Sequence, residues 1–329
     1  DVPLGAFLSV GEDSSLIVAL MQNLSARRVK TFSIGFEDER YNEAPFASAV
    51  ADYLETDHTE HIVSTNDILE VIPKLAHIYD EPFADSSQLP TYLVSSIARQ
   101  HVTVALSGDG GDELFHGYKR YQRIHQRFRQ FHSSRLGKIG AILPDLSPRF
   151  RGLISQVSFG RLTQRQLLAV RSMLQEKNEA QFYHLSISSN LEPEHYVLGV
   201  DAGLTACELY PFFDEVFPRD YALNDSVMYL PDDILVKVDR AAMSVSLETR
   251  VPLLDHKVVE FASRLPFSLK ERDGKGKWLL RELLDRYVPR ELTERPKRGF
   301  AVPLGDWLRG PLRPWVEDSL SKEILSQQA

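Results

Sequence analysis

The first 120 residues alternate short apolar runs with stretches of helical periodicity, and this alternation restricts the fold more than any other feature. The runs occupy residues 6–8, 29–36, 61–63 and 102–106. Between the last two runs, the apolar residues of 66–79 recur at the spacing of a helix face. Strand–helix alternation is typical of a parallel sheet with helices on both faces. The sequence therefore predicts an α/β fold built on a twisted parallel sheet.

The character of the chain changes near residue 121. Residues 121–135 are rich in Arg, Gln and His, residues 161–187 read as helix, and no convincing strand alternation returns. We therefore expect an α/β core over residues 1–120 and a mainly helical half over residues 121–329. Because the chain starts at Asp1 without a methionine, we expect it to be part of a longer protein.

Composition and charge exclude several classes of protein. The chain is 43% hydrophobic and 26% charged, which is ordinary for a globular protein and excludes disordered and fibrous classes. Its net charge of −8 argues against a broad basic surface for nucleic acid. No apolar run reaches the roughly 18 residues of a membrane span. The single cysteine, Cys207, favours a reducing compartment, so we expect a cytoplasmic protein.

A loop of small polar residues, the first loop, follows the first predicted strand directly. It reads Ser9-Val10-Gly11-Glu12-Asp13-Ser14-Ser15 and precedes an apolar helical run. Backbone N–H groups at a helix N-terminus lack intrahelical partners, and the helix dipole attracts anions to them. Serine hydroxyls suit phosphate oxygens, and Asp13 suits a magnesium ion that accompanies the phosphates. A simple N-capped helix after a tight turn is the alternative interpretation.

A second loop, after the fourth predicted strand, combines three glycines with three carboxylates. It reads Ser107-Gly108-Asp109-Gly110-Gly111-Asp112-Glu113. Glycine allows close approach of a backbone to a ligand, and crowded carboxylates require a cation or basic group nearby. Because the carboxyl ends of parallel strands share one sheet edge, Asp13 and Asp112 are predicted to share a metal–nucleotide site. A solvated acidic turn is the alternative.

Other signals are weak. The chain has no G-x-S-x-G, G-x-x-x-x-G-K-[ST] or G-x-G-x-x-G motif, which argues against a hydrolase elbow, a P-loop kinase and a nicotinamide dehydrogenase. His58 and His61 lack the further ligands that zinc requires. A basic stretch contains Arg120, Arg123, Arg127, Arg129 and Arg135, which indicates a solvated helix face or a docking surface for a partner.

Taken in order, these motifs resemble the synthetase domain of the glutamine-dependent asparagine synthetases. The matching stretches, two of which contain the first and second loops, are residues 1–15, 31–36, 79–87, 106–118, 230–240, 247–255, 275–281 and 297–300. The resemblance implies an adenine-nucleotide alpha-hydrolase-like fold in which residues 1–120 bind the nucleotide and residues 121–329 complete the synthetase site. It also implies ATP and Mg²⁺ as cofactors. The implied reaction adenylates the side-chain carboxylate of aspartate, releases pyrophosphate, and lets ammonia form asparagine and AMP.

The resemblance implies partners as well as chemistry. In the intact family an N-terminal glutaminase domain with a terminal Cys nucleophile supplies the ammonia, and Cys207 lies too deep in this sequence to replace it. The expected partners are therefore that glutaminase domain and small-molecule substrates, aspartate or another carboxylate and ammonia. No nucleic acid and no membrane are expected, and a homodimer stays open.

Roles for individual residues follow from the resemblance. Pyrophosphate and its magnesium are implied for Ser9, Gly11, Asp13 and Ser14, and contacts with adenosine for Leu8, Ile34, Ser107 and Gly108. The implied metal ligands are Asp13 and Asp112. Lys277 is implied as the catalytic cation that stabilises phosphate charge, with Asp109 and Glu113 in the same catalytic group. Lining or supporting positions are implied for Glu113, Asp233, Asp239, Arg240, Arg250 and Arg298.

Two residues of the first loop depart from the family pattern Ser-Gly-Gly-x-Asp-Ser. Val10 replaces the first glycine, although valine resists a positive φ, and Glu12 fills a usually apolar position. Glu12 adds charge beside the phosphates unless its carboxylate faces solvent at the helix start. A third, milder departure is Asp109, where many members have Glu. The chain is then an asparagine synthetase that tolerates these changes, an amidotransferase for another carboxylate such as a sugar acid, or a degenerate non-catalytic binding module.

Overall fold

The structure is a computed structural model that describes residues 2–133, 178–188, 219–294 and 302–321, together with residues 324 and 326. Several predictions lie outside these residues, namely those on most of the helix over 161–187, on Arg135, on Cys207 and on the 297–300 stretch with Arg298. Among the described helices, none combines the length and the apolar character that crossing a membrane requires.

The elements of the described chain follow one another in this order. The first eight are β1 (Leu4–Phe7), α1 (Glu12–Leu24), β2 (Lys30–Phe36), α2 (Ala44–Tyr53), β3 (Asp57–Val63), α3 (Thr65–Ile78), α4 (Gln88–Arg99) and β4 (Val104–Leu106). Next come α5 (Gly111–Leu114), α6 (Lys119–Ser133), α7 (Glu179–Ile187), α8 (Arg219–Val227), a π-helical segment (Leu230–Leu235), α9 (Val236–Met243) and β5 (Glu248–Arg250). A 3-10 turn (Pro252–Leu254), α10 (His256–Arg264), α11 (Phe267–Lys270), α12 (Trp278–Leu284), α13 (Arg290–Thr293), α14 (Leu304–Arg309) and α15 (Arg313–Ser319) complete it.

The strands form one parallel sheet in the order β3-β2-β1-β4-β5. Gly5 of the central strand β1 lies opposite Lys30 of β2 on one side and Ala105 of β4 on the other. The α/β fold class is therefore confirmed. Strand order reverses between β1 and β4, and open α/β sheets bind ligands at the carboxyl ends of the strands at such a point.

Buried side chains cover both faces of the sheet. On one face, Phe32 and Ile34 of β2 belong to a cluster with Val71 of α3 and Leu93 of α4. The other face carries a separate cluster in which Ala6 and Leu8 meet Val18 of α1 and residues 47, 50 and 51 of α2. Successive side chains of a strand point to opposite faces, so the short apolar runs serve both layers.

The strand β5 lies in the second half of the chain, which was expected to be mainly helical and without convincing strands. It pairs in parallel with β4, with Val104 opposite Glu248. Its sequence Glu248-Thr249-Arg250 is three residues long and polar. A strand this short shows no alternation of apolar and polar residues, so periodicity does not reveal it.

The chain divides into two compact units. One consists of Asp1–Phe115, Met228–Arg272 and Lys277–Ala329, and the other of His116–Val227 and Asp273–Gly276. The first unit thus holds the whole sheet. The functional division into residues 1–120 and 121–329 stays a prediction.

Within the second unit, a buried carboxylate ties three helices together. Asp225 of α8 has no exposed surface and accepts hydrogen bonds from Tyr183 of α7 (2.6 Å), from Tyr121 of α6 (2.7 Å) and from Arg120. Arg120 therefore belongs to this network. The other described arginines of the basic stretch are exposed, as a solvated helix face predicts: Arg123, Arg127 and Arg129.

Candidate active site

The first loop folds back on itself through two of its three serines, at the carboxyl end of β1. The hydroxyls of Ser9 and Ser14 share a hydrogen bond of 2.8 Å, and Ser14 Oγ also donates to the carbonyl of Ser9 (3.0 Å). The N–H of Gly11 donates to Ser9 Oγ (3.2 Å). This turn sets the two hydroxyls at the N-terminus of α1, where helix N–H groups favour anions.

Two glycines of the second loop allow it to touch the start of α1. If a Cβ were added at Gly108, it would lie 2.6 Å from the backbone N of Ser14, and one added at Gly111 would lie 2.5 Å from Cγ of Asp13. Real Cβ atoms do not approach backbone atoms so closely, so Gly108 requires glycine, and a side chain at Gly111 would displace the Asp13 carboxylate. The structure therefore brings the two predicted loops into direct contact at the point where the strand order reverses.

A single buried ammonium bridges the two loops. Lys277 Nζ lies 2.5 Å from Asp13 Oδ2 and 2.7 Å from Asp112 Oδ1, and only 3% of Lys277 is exposed. Burial alone lowers the pKa of Lys277, but the charges of Asp13 and Asp112 outweigh burial and place it above its ordinary value. The side chain is therefore a permanent cation at neutral pH.

The backbone of Lys277 is held in an unusual conformation. Its φ of 55° and ψ of 28° lie in the left-handed region, where a residue with a side chain is strained. The N–H donates to the carbonyl of Phe115 (2.8 Å), and α12 starts at the next residue. Backbone strain of this kind persists only where the surrounding structure enforces it, and it clusters at functional sites.

The two other predicted catalytic carboxylates lie in the second loop. Ser107 Oγ donates to Asp109 Oδ2 (2.8 Å), and Glu113 is buried in α5 with 3% exposure. Desolvation raises the pKa of Asp109, while the hydrogen bond from Ser107 and the charge of Lys237 act against that rise. Asp109 thus lies where a positive charge from outside the loop reaches it.

That second cation, Lys237 of α9, received no role from sequence reasoning. It is buried, and its Nζ lies 2.5 Å from Asp85 Oδ2 and 3.9 Å from Asp233 Oδ1. Desolvation raises the pKa of Asp85, but the hydrogen bond and charge of Lys237 lower it below its ordinary value. The four-residue spacing of Asp233 and Lys237 could have indicated their pairing from the sequence. The pairing with Asp85, 152 positions away, could not have been found in this way.

The remaining predicted residues lie in several environments. Leu8 and Ile34 are both buried, in clusters on opposite faces of the sheet, so their side chains are committed to the core. Arg240 pairs with Asp80 (2.7 Å). The exposed side chain of Arg250 pairs with Glu248 of its own strand, and Asp239 is exposed. Contact of Leu8 or Ile34 with adenosine therefore requires their backbone groups.

Both departures from the family loop fit the observed geometry. The described residues with positive φ do not include Val10, and Gly11 itself has a φ of −68°, so the loop demands no left-handed residue there. Glu12 is the first residue of α1, and its Oε1 lies 3.9 Å from Nε of Arg281 in α12. The expected backbone conflict at Val10 is thus absent, and Glu12 faces a positive charge.

The donor set suits Mg²⁺ together with a polyphosphate. Two carboxylates, Asp13 from the first loop and Asp112 from the second, both contact the ammonium of Lys277. In the described ranges, no group of three or more His, Cys, Asp or Glu side chains is arranged to hold a metal. Mg²⁺ usually takes one or two protein carboxylates and completes its shell with water and substrate phosphates. The residues therefore fit a metal that arrives with its nucleotide.

Comparison with known proteins places this chain in a family. The family model for asparagine synthase matches residues 1–329. The chain is 32% identical to glutamine-hydrolyzing asparagine synthetase 1 of Bacillus subtilis, with 98% of this chain and 50% of that protein covered. It is 36% identical to a putative glutamine-hydrolyzing asparagine synthetase of Mycobacterium tuberculosis, with 96% and 47% covered.

A more distant relative is the amidase chyE of Penicillium rubens, 23% identical with 98% of this chain and 52% of that protein covered. The chain spans about half the length of the curated relatives it matches. The family match extends over residues 1–329 and so includes both loops and Lys277. The chain belongs to the asparagine synthase family.

Proposed function

We propose that this chain is the ATP-dependent, amide-forming part of a glutamine-hydrolyzing synthetase. The observation that carries the proposal is the buried ammonium of Lys277 between Asp13 and Asp112, where two strand-end loops meet. Ser9, Gly11 and Ser14 offer hydroxyl and N–H donors to phosphate oxygens at the start of α1. The same position in other open α/β sheets binds nucleotides, which agrees with ATP as the substrate.

In the proposed reaction, a carboxylate oxygen of the acceptor attacks the α-phosphorus of ATP. The bond to the β-phosphate oxygen breaks, and pyrophosphate leaves with the electron pair. Ammonia then attacks the acyl carbon, AMP departs with the oxygen that came from the carboxylate, and a proton is lost from nitrogen. Lys277 stabilises the charge that develops on the phosphates, which is electrostatic work that a fixed, water-excluded ammonium performs well.

Asp13 and Asp112 would hold Mg²⁺, which neutralises polyphosphate charge when it is bound. The two carboxylates come from different loops, so a bound ion would also hold the two loops together. Asp109 and Glu113 lie in the second loop and are proposed to act on the acceptor side of the site. The remaining contacts with adenosine are proposed for Leu8 and Ile34 through their backbones and for Ser107 and Gly108.

The acceptor is proposed to be aspartate, because two relatives that are 32% and 36% identical over nearly all of this chain are named asparagine synthetases. Another carboxylate is the alternative, and the similarity to an amidase supports keeping it. Intact Asp13, Asp112 and Lys277 count against a degenerate binding module. A glutaminase domain as the ammonia source, and a cytoplasmic location, stay predictions.

Pyrophosphate release from Mg-ATP tests the proposal, with ammonium as nitrogen donor and aspartate compared with a panel of other acids. We expect release that depends on aspartate, with asparagine and AMP formed in equal amounts. Release with a different acid alone would change the acceptor and keep the mechanism. The absence of release with every acid, from folded protein, would overturn the proposal in favour of the binding module.

A further inference from the structure

The negative charge of Glu12 lies close to the place where we propose that phosphates bind. Glu12 directly precedes the proposed metal ligand Asp13 and opens α1. An acidic residue in the first turn of a helix is favourable for the helix dipole. The same charge is unfavourable beside a triphosphate, because like charges repel over several ångströms when water is excluded. Something must keep the Glu12 carboxylate away from the phosphates.

The helix that follows Lys277 supplies a counter-charge. Leu16 and Ala19 of α1 pack against Leu280 and Leu284 of α12 in one buried cluster. At the end of this interface nearest the loops, Arg281 Nε lies 3.9 Å from Glu12 Oε1. Glu12, Leu16 and Ala19 share one face of α1, because residues four and seven positions apart on a helix lie on the same side. The Glu12 side chain therefore runs along the interface between the helices.

Arg281 lies one helical turn after Lys277. The backbone N–H of Arg281 donates to the backbone carbonyl of Lys277 (3.0 Å) in the first turn of α12. The Arg281 side chain is 22% exposed and that of Glu12 is 32% exposed, so water screens the pair only in part. One turn of helix thus carries both the ammonium proposed to act on the phosphates and the guanidinium that faces Glu12.

We propose that Arg281 is a positioning residue of the ATP site, which acts through Glu12. Arg281 neutralises the Glu12 carboxylate and holds it along the α1–α12 interface, away from the phosphates. The inference rests on the proposed function, since it assumes that phosphates bind beside Asp13. It predicts that the need for Arg281 disappears when residue 12 is apolar.

A partly exposed ion pair of this kind contributes little to folding stability. A purely structural role for Arg281 therefore predicts small changes in thermal stability and none in nucleotide affinity. A positioning role predicts a change in the affinity for ATP that depends on the residue at position 12. The KM for Mg-ATP should rise while kcat stays nearly constant, because the Lys277 ammonium is retained.

The test measures the dissociation constant of a non-hydrolysable ATP analogue with Mg²⁺, and the KM and kcat of pyrophosphate release. The variants are Arg281→Met, Arg281→Lys, Glu12→Leu and the double variant Glu12→Leu/Arg281→Met. Arg264→Met is the matched control, because Arg264 forms an exposed pair with Glu260 (3.4 Å) on α10. Thermal unfolding of each protein shows that it is folded.

We expect Arg281→Met to weaken binding of the analogue roughly three- to tenfold, the range of a partly screened charge pair. Arg281→Lys and the control should remain within about twofold of the parent, and the double variant should recover the parent affinity. Equal weakening in Arg281→Met and the double variant would overturn the inference, as would an unchanged affinity in Arg281→Met. If the parent protein itself fails to bind the analogue, it is the proposed function that fails.

Discussion

Replacing Lys277 by methionine removes a charge that both loops contact. The Nζ atom lies 2.5 Å from Asp13 and 2.7 Å from Asp112, and both carboxylates are largely buried. At an effective dielectric constant of about 20, these distances correspond to attractions of about 7 and about 6 kcal/mol. Desolvation of the three groups offsets much of this sum, and removal of one partner of a buried pair typically costs about 3–5 kcal/mol.

We therefore expect Lys277→Met to lower the free energy of unfolding by about 3–5 kcal/mol, as measured by urea titration with circular dichroism. Lys257→Met, which removes an exposed lysine of α10, is the control and should change it by less than about 0.5 kcal/mol. If both variants lose the same small amount, Lys277 does not neutralise a buried pair of carboxylates.

The same variant should lower pyrophosphate release more than it lowers ATP binding. Removing one preorganised electrostatic group from a reacting centre typically costs about 10²- to 10³-fold in kcat. The loss should persist at temperatures where the variant is fully folded, so that stability and catalysis can be separated. A kcat within about threefold of the parent would refute the catalytic role of Lys277.

Four further predictions follow from the geometry of the site. Gly108→Ala forces a Cβ to 2.6 Å from the N of Ser14, so we expect about 1–3 kcal/mol of destabilisation by urea titration and at least about tenfold weaker binding of the ATP analogue. Val10→Gly should change that affinity by less than about twofold, because residue 10 is not among those with positive φ, and calorimetry measures it. Because folding raises the pKa of Lys277, its contribution to stability is fully present below about pH 10.4, and it is lost as the pH rises through the higher pKa of the folded state. Urea titrations at several pH values measure the stability difference between the parent and Lys277→Met. We expect this difference to shrink only at strongly alkaline pH. Removal of Mg²⁺ by a chelator should abolish pyrophosphate release, and Mg²⁺ alone should raise the melting temperature of Lys277→Met more than that of the parent, because two carboxylates then lack their cation.

The sequence predicted those parts of the site that depend on local patterns. Asp13 and Asp112 each follow a short strand in a loop of small residues, so the sheet topology alone brings their loops together. Lys277 came from the family resemblance and not from periodicity, because it lies 264 positions from Asp13. The structure places its ammonium between Asp13 and Asp112, and Phe115 and the start of α12 fix its backbone.

Contacts over long sequence separations escaped sequence reasoning. The Lys237–Asp85 pair and the Glu12–Arg281 pair each join elements whose spacing carries no signal in a single sequence. The strand β5 escaped for a different reason, since three polar residues show no periodicity. The positive φ that valine resists is not needed at Val10, because the first loop turns through serine hydrogen bonds, and the effect of Val10 on ATP binding stays a prediction.

The most direct test of the central claim follows oxygen from the acceptor to AMP. Aspartate labelled with ¹⁸O in its side-chain carboxylate is incubated with the protein, Mg-ATP and ammonium, and the products are analysed by mass spectrometry. Adenylation at this site predicts one labelled oxygen in each AMP and none in pyrophosphate. Label in inorganic phosphate with formation of ADP, or AMP without label, would contradict the account.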